Sequence, residues 1–234
     1  MRLGIIGLPQ SGKTTLFNAL TRGTQPTGMS AGRVEVHTGV VDVPDPRVDK
    51  LSSMFKPKKT IYAKVTYADI AGLEGNASKT GISGTLLNQL TQMDAFLQVV
   101  RCFEDDNVPH PNGSIDPARD LAAMESEFIL NDLIAVERKL ERLTEERKKG
   151  VGREKAVVQA ETSLFERFHA ALAEEKPLRD LAISAEEERV FSGFGFLSRK
   201  PLLFVFNLAE GQDAPDLRYE DKYTQLVVLQ SRWE

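Results

Sequence analysis

Eight residues near the start of the chain, Gly7-Leu8-Pro9-Gln10-Ser11-Gly12-Lys13-Thr14, satisfy the pattern G-x-x-x-x-G-K-[ST] without mismatch. The chemistry of that pattern is phosphate binding. Its glycines reach backbone conformations closed to other residues, so successive N–H groups can converge on one anion. The helix that follows adds the positive end of its dipole. In this arrangement Lys13 reaches the β- and γ-phosphates and the Thr14 hydroxyl ligates Mg²⁺. Candidate nucleotide contacts are therefore Pro9, Gln10, Ser11, Gly12, Lys13, Thr14 and Thr15, with Lys13 also the candidate catalytic residue.

A second cluster follows an apolar stretch: Asp69-Ile70-Ala71-Gly72. An aspartate at a strand end near such a loop is suited to hold Mg²⁺ through water, so Thr14 and Asp69 form the expected metal pair. The Gly72 N–H is placed to sense a γ-phosphate. The segment 74–85, rich in Gly, Ser and Thr, reads as a switch that is ordered by that phosphate.

Elements that can position these groups are readable from periodicity. Leu3–Ile6 is short, apolar and bounded by glycines, a buried strand, and a helix is expected from Lys13 to Thr21. The stretch 24–33 reads as a loop. Val34–Val43 and Ile61–Ala68 alternate as strands do. Phe96–Cys102 and Leu202–Phe206 are apolar runs of strand length, buried on both faces, and Gln225–Leu229 is a last strand. Strands alternating with helices predict an α/β fold: a doubly wound, mostly parallel sheet of the P-loop NTPase kind.

One segment breaks the rhythm. Residues 117–173 are helical in character, with Ile129, Leu133, Val136, Leu140 and Leu143 at alternating spacings of four and three. Lys148–Gly152 interrupts the pattern, and Val157, Leu164, Phe168 and Ala171 continue a similar stripe. This predicts an inserted antiparallel helical hairpin projecting roughly 40 Å at 1.5 Å per residue. The expected organisation is a nucleotide-binding domain in two parts, 1–116 and 191–234, separated by a hairpin at 117–190. The basic turn 148–153 is a candidate partner-binding tip.

Composition narrows the class. The 234 residues are 41% hydrophobic and 27% charged with a formal net charge of -4, which argues against whole-domain attraction to nucleic acid; no direct DNA binding is expected. Cys102 is the single cysteine, so no internal disulfide forms, and a reducing cytoplasm is the expected location. The apolar start, MRLGIIGLP, is too short for a membrane span. A helix normally packs after the last strand of such a fold; here the chain stops at 234, and the end reads as cut short.

The segments GLPQSGKTTLFNALT (7–21), GVVDVPDPRVDKL (39–51), DIAGL (69–73), VVRCFED (99–105) and FNLAE (206–210) together resemble the Obg-related translation-factor GTPases, and within them the YchF family of Obg-like ATPases. The resemblance covers nearly the whole chain. It implies a coiled-coil insertion where periodicity places the hairpin, and a C-terminal TGS domain that this chain lacks. It also implies a ribosomal or translational partner. Relatives that read guanine use N-K-x-D; here Asn207-Leu208-Ala209-Glu210 replaces the lysine by leucine and the aspartate by glutamate. The resemblance thus implies a preference for ATP over GTP, with Asn207, Leu208 and Glu210 lining the base pocket, Leu208 offering its apolar face to the ring, and a weaker contribution from Gln230-Ser231.

One trait shared with YchF-like proteins, at Leu73, and two departures from the family pattern, at Arg33 and in the glycine-rich segment 74–85, bear on turnover. Leu73 stands where Ras-like proteins have a catalytic glutamine, and an aliphatic side chain cannot orient water. Arg33 aligns with the threonine that completes Mg²⁺ coordination, leaving Thr38 or Ser30 as substitutes; Asn76, Thr80 and Ile82 replace expected glycines. The expected function is a Mg²⁺-dependent switch with slow ATP hydrolysis. The alternatives are a GTPase of the same fold and a nucleotide-gated scaffold without turnover. His37, His110 and His169 are scattered without metal-ligand spacing, no Ser-His-Asp or paired-carboxylate set stands out, and Cys102 reads as a small buried hydrophobe.

Overall fold

The computed structural model describes residues 1–26, 36–71, 82–105, 107–149, 153–216 and 224–229. Six strands form one sheet: β1 (Arg2–Ile6), β2 (Val36–Asp42), β3 (Lys64–Ile70), β4 (Ala95–Arg101), β5 (Leu202–Asn207) and β6 (Thr224–Leu229), in the order β2-β3-β1-β4-β5-β6. Only β2 runs antiparallel to its neighbour; the other pairs are parallel. The chain fills the sheet on one side of β1 and then on the other. The carboxyl end of β1 therefore lies at the topological switch point, where open α/β sheets form their ligand crevice.

The helices divide between the two faces. α1 (Lys13–Thr21) covers one face, its Leu16 and Phe17 packing with Ile5, Leu97, Val99 and Val205. α3 (Gly84–Thr91) and the first turns of α4 (Pro117–Lys149) cover the other, through Leu86, Leu90, Leu121, Met124 and Phe128. Every residue of β4 is buried, as its unbroken apolar run requires of a central strand.

α4 and α5 (Lys155–Ala173) pack as an antiparallel pair. Their ion pairs show the direction: Lys139 meets Glu161 at 2.6 Å, Arg153 meets Glu146 at 2.9 Å, and residue numbers fall on one helix as they rise on the other. The seam of α4 follows the sequence pattern, with Ile129, Val136 and Leu143 buried. On α5 the expected positions Leu164, Phe168 and Ala171 are buried, and Val157 alone misses, Val158 taking its place. Val158 is 5% exposed and Val157 is 49% exposed. Val157 lies in the first turn of the helix, which begins at Lys155, and the stripe keeps its expected phase from Leu164 onward. The segment 117–128 lies on the sheet through Phe128, which meets the Phe96 ring at 5.1 Å. Only the part of α4 beyond it stands away, about 30 Å at 1.5 Å per residue, shorter than the sequence suggests.

A cluster of Phe165, Phe168, Phe191 and Phe196 fastens the root of α5 to α6 (Ala185–Phe191). Beside it, Asp132 of α4 accepts hydrogen bonds from Leu197 N at 3.0 Å, Ser198 N at 2.8 Å and Ser198 Oγ at 2.7 Å. This joins the hairpin to the turn that leads into β5. α2 (Pro46–Phe55) was not expected, although Val48, Leu51 and Phe55 stand at helical spacing; no residue of it is buried. Its determinants are local: Pro46 opens the helix and Asp45 caps it, accepting from Arg47 N at 2.9 Å.

Candidate functional site

The loop between β1 and α1 wraps the carboxyl end of β1. Gly7 sits at φ 145° and Gly12 at φ 100°, conformations that favour glycine. A Cβ on Gly7 would lie 2.3 Å from the Val99 carbonyl oxygen, so only glycine lets the loop pass β4. Gln10 also takes a positive φ, 61°, while Pro9 is exposed and Ser11 buried. Ser11 N donates to Leu8 O at 3.3 Å. α1 then begins at Lys13, placing Thr14 and Thr15 in its first turn.

Lys13 bends back over this loop, its Nζ donating to Leu8 O at 2.8 Å. Burial lowers its pKa to about 8, and the nearby Asp69 carboxylate opposes that shift. Asp69 lies near the end of β3, opposite Ile5 of β1. Its Oδ2 accepts from Thr14 Oγ1 at 2.7 Å, and its Oδ1 is buried without a hydrogen-bond partner. A hydroxyl and an orphaned carboxylate oxygen, both hard oxygen donors, are the set that Mg²⁺ takes. The two residues paired in the sequence for that purpose are in direct contact.

The register of β2 against β3 decides a question the sequence left open. His37 is the cross-strand partner of Asp69, and Thr38 is the partner of Ala68. Facing residues share a side of the sheet and neighbours alternate. Thr38 therefore points to the side opposite Asp69 and is not available to the Thr14–Asp69 pair. Gly72, Leu73, Arg33, Ser30, Asn76, Thr80 and Gln230-Ser231 lie outside the described residues.

At the other end of the crevice, β5 delivers Asn207 beside the phosphate loop. Its Nδ2 donates to Ser11 O at 3.0 Å. Leu208 differs from expectation: its side chain is buried in the core cluster that contains Cys102 and Phe206, not held open to a ligand. Strand alternation carries it away from the Asn207 side. Its N–H donates to Leu229 O at 2.9 Å. Glu210 is exposed on the turn that follows.

The sequence reading passed over one group beside the loop. His110 Nε2 and Asp120 Oδ2 are 2.9 Å apart, with both side chains 4% exposed, and Arg119 Nη2 meets the other Asp120 oxygen at 2.9 Å. His110 and Asp120 line a cavity of about 10 Å³ together with Leu8, Pro9, Ser11 and Arg101. The turn before α4 folds two residues ten apart into contact, and no spacing rule announces it. By contrast, Cys102 is buried as expected, and burial pushes its thiol up to about 12. His169 lies at the surface of α5, 3.6 Å from Glu137.

A family model described as "50S ribosome-binding GTPase" matches residues 2–139. The "Ribosome-binding ATPase YchF" of Escherichia coli O157:H7 is 38% identical over 211 residues, 89% of this chain and 57% of that protein. The protein of the same name from Bacillus subtilis (strain 168) is 35% identical over 213 residues, 90% of this chain and 57% of its own. "Obg-like ATPase 1" of Schizosaccharomyces pombe is 32% identical over 228 residues, 95% of this chain and 57% of that protein. The solved structure of the Schizosaccharomyces pombe YchF GTPase superposes with a TM-score of 0.69 at 32% identity, covering 90% of this chain and 57% of that one. The chain thus spans somewhat more than half the length of these relatives.

Proposed function

The chain belongs to the 50S ribosome-binding GTPase family and, within it, to the YchF family, and from that premise we propose that it is a Mg²⁺-dependent nucleotide switch that hydrolyses ATP slowly and acts on the ribosome. The observation that carries this reading is the contact between Thr14 and Asp69 at the mouth of the phosphate loop, with the second Asp69 oxygen buried and unpartnered. In this reading the loop amides of 9–15 cradle the phosphates and Lys13 neutralises the terminal ones. Thr14 and Asp69 hold Mg²⁺, which when bound supplies charge neutralisation for phosphoryl transfer.

The preference for adenine rests on the other end of the site. Guanine-reading relatives place a short aspartate here; this chain places Glu210, one methylene longer, on the turn after Asn207. The lysine of that motif is replaced by Leu208, whose side chain is withdrawn into the core. A guanine base therefore loses the fork its donors require. The hairpin of α4 and α5, with Arg147 and Lys148 near its tip, is the element we assign to partner contact, and residues 117–190 are read as an insertion in one nucleotide-binding domain. No helix among the described residues is long and apolar enough to cross a membrane. A cytoplasmic site of action follows from the proposed ribosomal partner.

The test is a titration with fluorescent ATP and GTP analogues in Mg²⁺, followed by phosphate release at saturation and co-sedimentation with 50S subunits. Tighter ATP binding with release that requires Lys13 supports the proposal. Preferred GTP binding points to a GTPase instead. Binding without release leaves a nucleotide-gated scaffold.

A further inference from the structure

After Asn207 the chain turns back on itself. Gln212 N donates to Ala209 O at 3.2 Å. Gly211 holds φ 71° as third residue of that turn, the left-handed value such a turn demands. The Gln212 side chain then makes two further bonds. Its Oε1 accepts from Ala209 N at 2.9 Å, and its Nε2 donates to Cys102 O at 2.6 Å. Cys102 is itself fixed, since its N–H donates to Asn207 O at 2.9 Å. One side chain thus fastens the turn bearing Glu210 to the end of β4, the strand beside the phosphate loop.

We infer that Gln212 is a positioning residue for base selection: it holds the Ala209 amide, and with it the backbone under Glu210, in the orientation that favours adenine over guanine. The inference rests on the reading of residues 207–210 as the base-contacting segment. Discrimination by a hydrogen-bonded fork fails when the carboxylate drifts by about 0.5 Å. Glu210 is exposed and has one more rotatable bond than an aspartate, so its carboxylate depends on the backbone beneath it. A primary amide suits the brace because it accepts from one backbone and donates to another at once, which neither a carboxylate nor an ammonium can do.

The test compares the full chain with its Gln212→Ala and Gln212→Glu variants by titrating ATP, GTP and inorganic tripolyphosphate in Mg²⁺. Tripolyphosphate engages the phosphate loop alone. For Gln212→Ala the expected result is ATP binding weakened about tenfold, a narrowed ratio of ATP to GTP affinity, and tripolyphosphate binding within about twofold of the parent. Gln212→Glu keeps the acceptor for Ala209 N but sets a carboxylate oxygen against Cys102 O, and a loss at least as large as that of Gln212→Ala is expected. An unchanged ATP-to-GTP ratio in Gln212→Ala overturns the inference, as does equal weakening of ATP and tripolyphosphate, which would mark a general loss of structure. If the unaltered chain binds ATP no better than tripolyphosphate, the base-pocket reading fails first and the inference falls with it.

Discussion

Asn207 and Ser11 are 196 residues apart in the chain, yet Asn207 Nδ2 donates to the Ser11 carbonyl at 3.0 Å. The bond crosses from the end of β5 to the loop between β1 and α1 and fixes one relative to the other. Strand order makes it possible: β4 lies between β1 and β5, so a loop rising from β1 leans across β4 toward the next strand.

Replacement of Asn207 by alanine removes the donor and slackens the loop itself. ATP and tripolyphosphate are expected to lose affinity together, about tenfold each. Titration of both ligands checks this, and a loss confined to ATP would show that Asn207 serves the base alone.

The contact of Thr14 with Asp69 implies a metal-dependent effect. Asp69→Asn keeps the size and the acceptor but removes the charge. Mg²⁺-nucleotide affinity is expected to fall about ten- to a hundredfold. Binding measured with EDTA in place of Mg²⁺ is expected to stay within about twofold. Equal losses in both conditions would remove Asp69 from the metal site.

Lys13 gives a pH dependence whose sign can be worked out. Burial lowers its pKa to about 8, so the empty site carries a partly neutral amine above that pH. Bound phosphate favours the ammonium and raises the value, so the complex holds more protons than the free protein in the window above about 8. Affinity therefore falls as pH rises through that window, by up to about tenfold per pH unit. Calorimetry near pH 8.5 in two buffers of different ionisation enthalpy is expected to show proton uptake on binding; at pH 6.5 the uptake disappears.

Asp132 is the joint between hairpin and sheet. Asp132→Ala leaves Leu197 N, Ser198 N and Ser198 Oγ buried without their acceptor, and a loss of about 2–4 kcal/mol is expected in denaturant unfolding. Burial raises its carboxyl from 3.8 to about 6, against the hydrogen bonds that favour the ionised form. The folded chain therefore binds more protons than the unfolded one between those values. The contribution of this residue to stability is greatest below 3.8 and declines as pH rises through about 6. Asp132→Asn is expected to flatten that decline.

The seam of α5 offers a paired comparison. Val158→Ala is expected to cost about 1–3 kcal/mol, as the removal of buried methyl groups does, and Val157→Ala less than about 0.5 kcal/mol. Equal costs would show that the seam reaches Val157 as well, as the sequence suggests.

The phosphate loop and its helix were legible because their determinants are contiguous. Glycines set the backbone, the lysine and threonine follow at fixed offsets, and α1 runs from Lys13 to Thr21 as periodicity indicates. The long apolar runs of β4 and β5 and the heptads of α4 were legible for the same reason: a period repeated within one element states which face is buried. α2 was passed over although Val48, Leu51 and Phe55 stand at helical spacing, because a short apolar stripe between two strands does not announce itself against its turn residues. On α5 Leu164, Phe168 and Ala171 were legible, and only Val157, in the first turn after the break, was not. The side of the sheet taken by Thr38 depends on a register between β2 and β3. The withdrawal of Leu208 into the core depends on where β5 ends, and the meeting of His110 with Asp120 depends on a turn. The sequence by itself determined which residues can bind phosphate and metal and which segments become strands and helices. Only the tertiary structure decided which of them meet, because strand order, register and the path of each turn are set by packing between segments far apart in the chain.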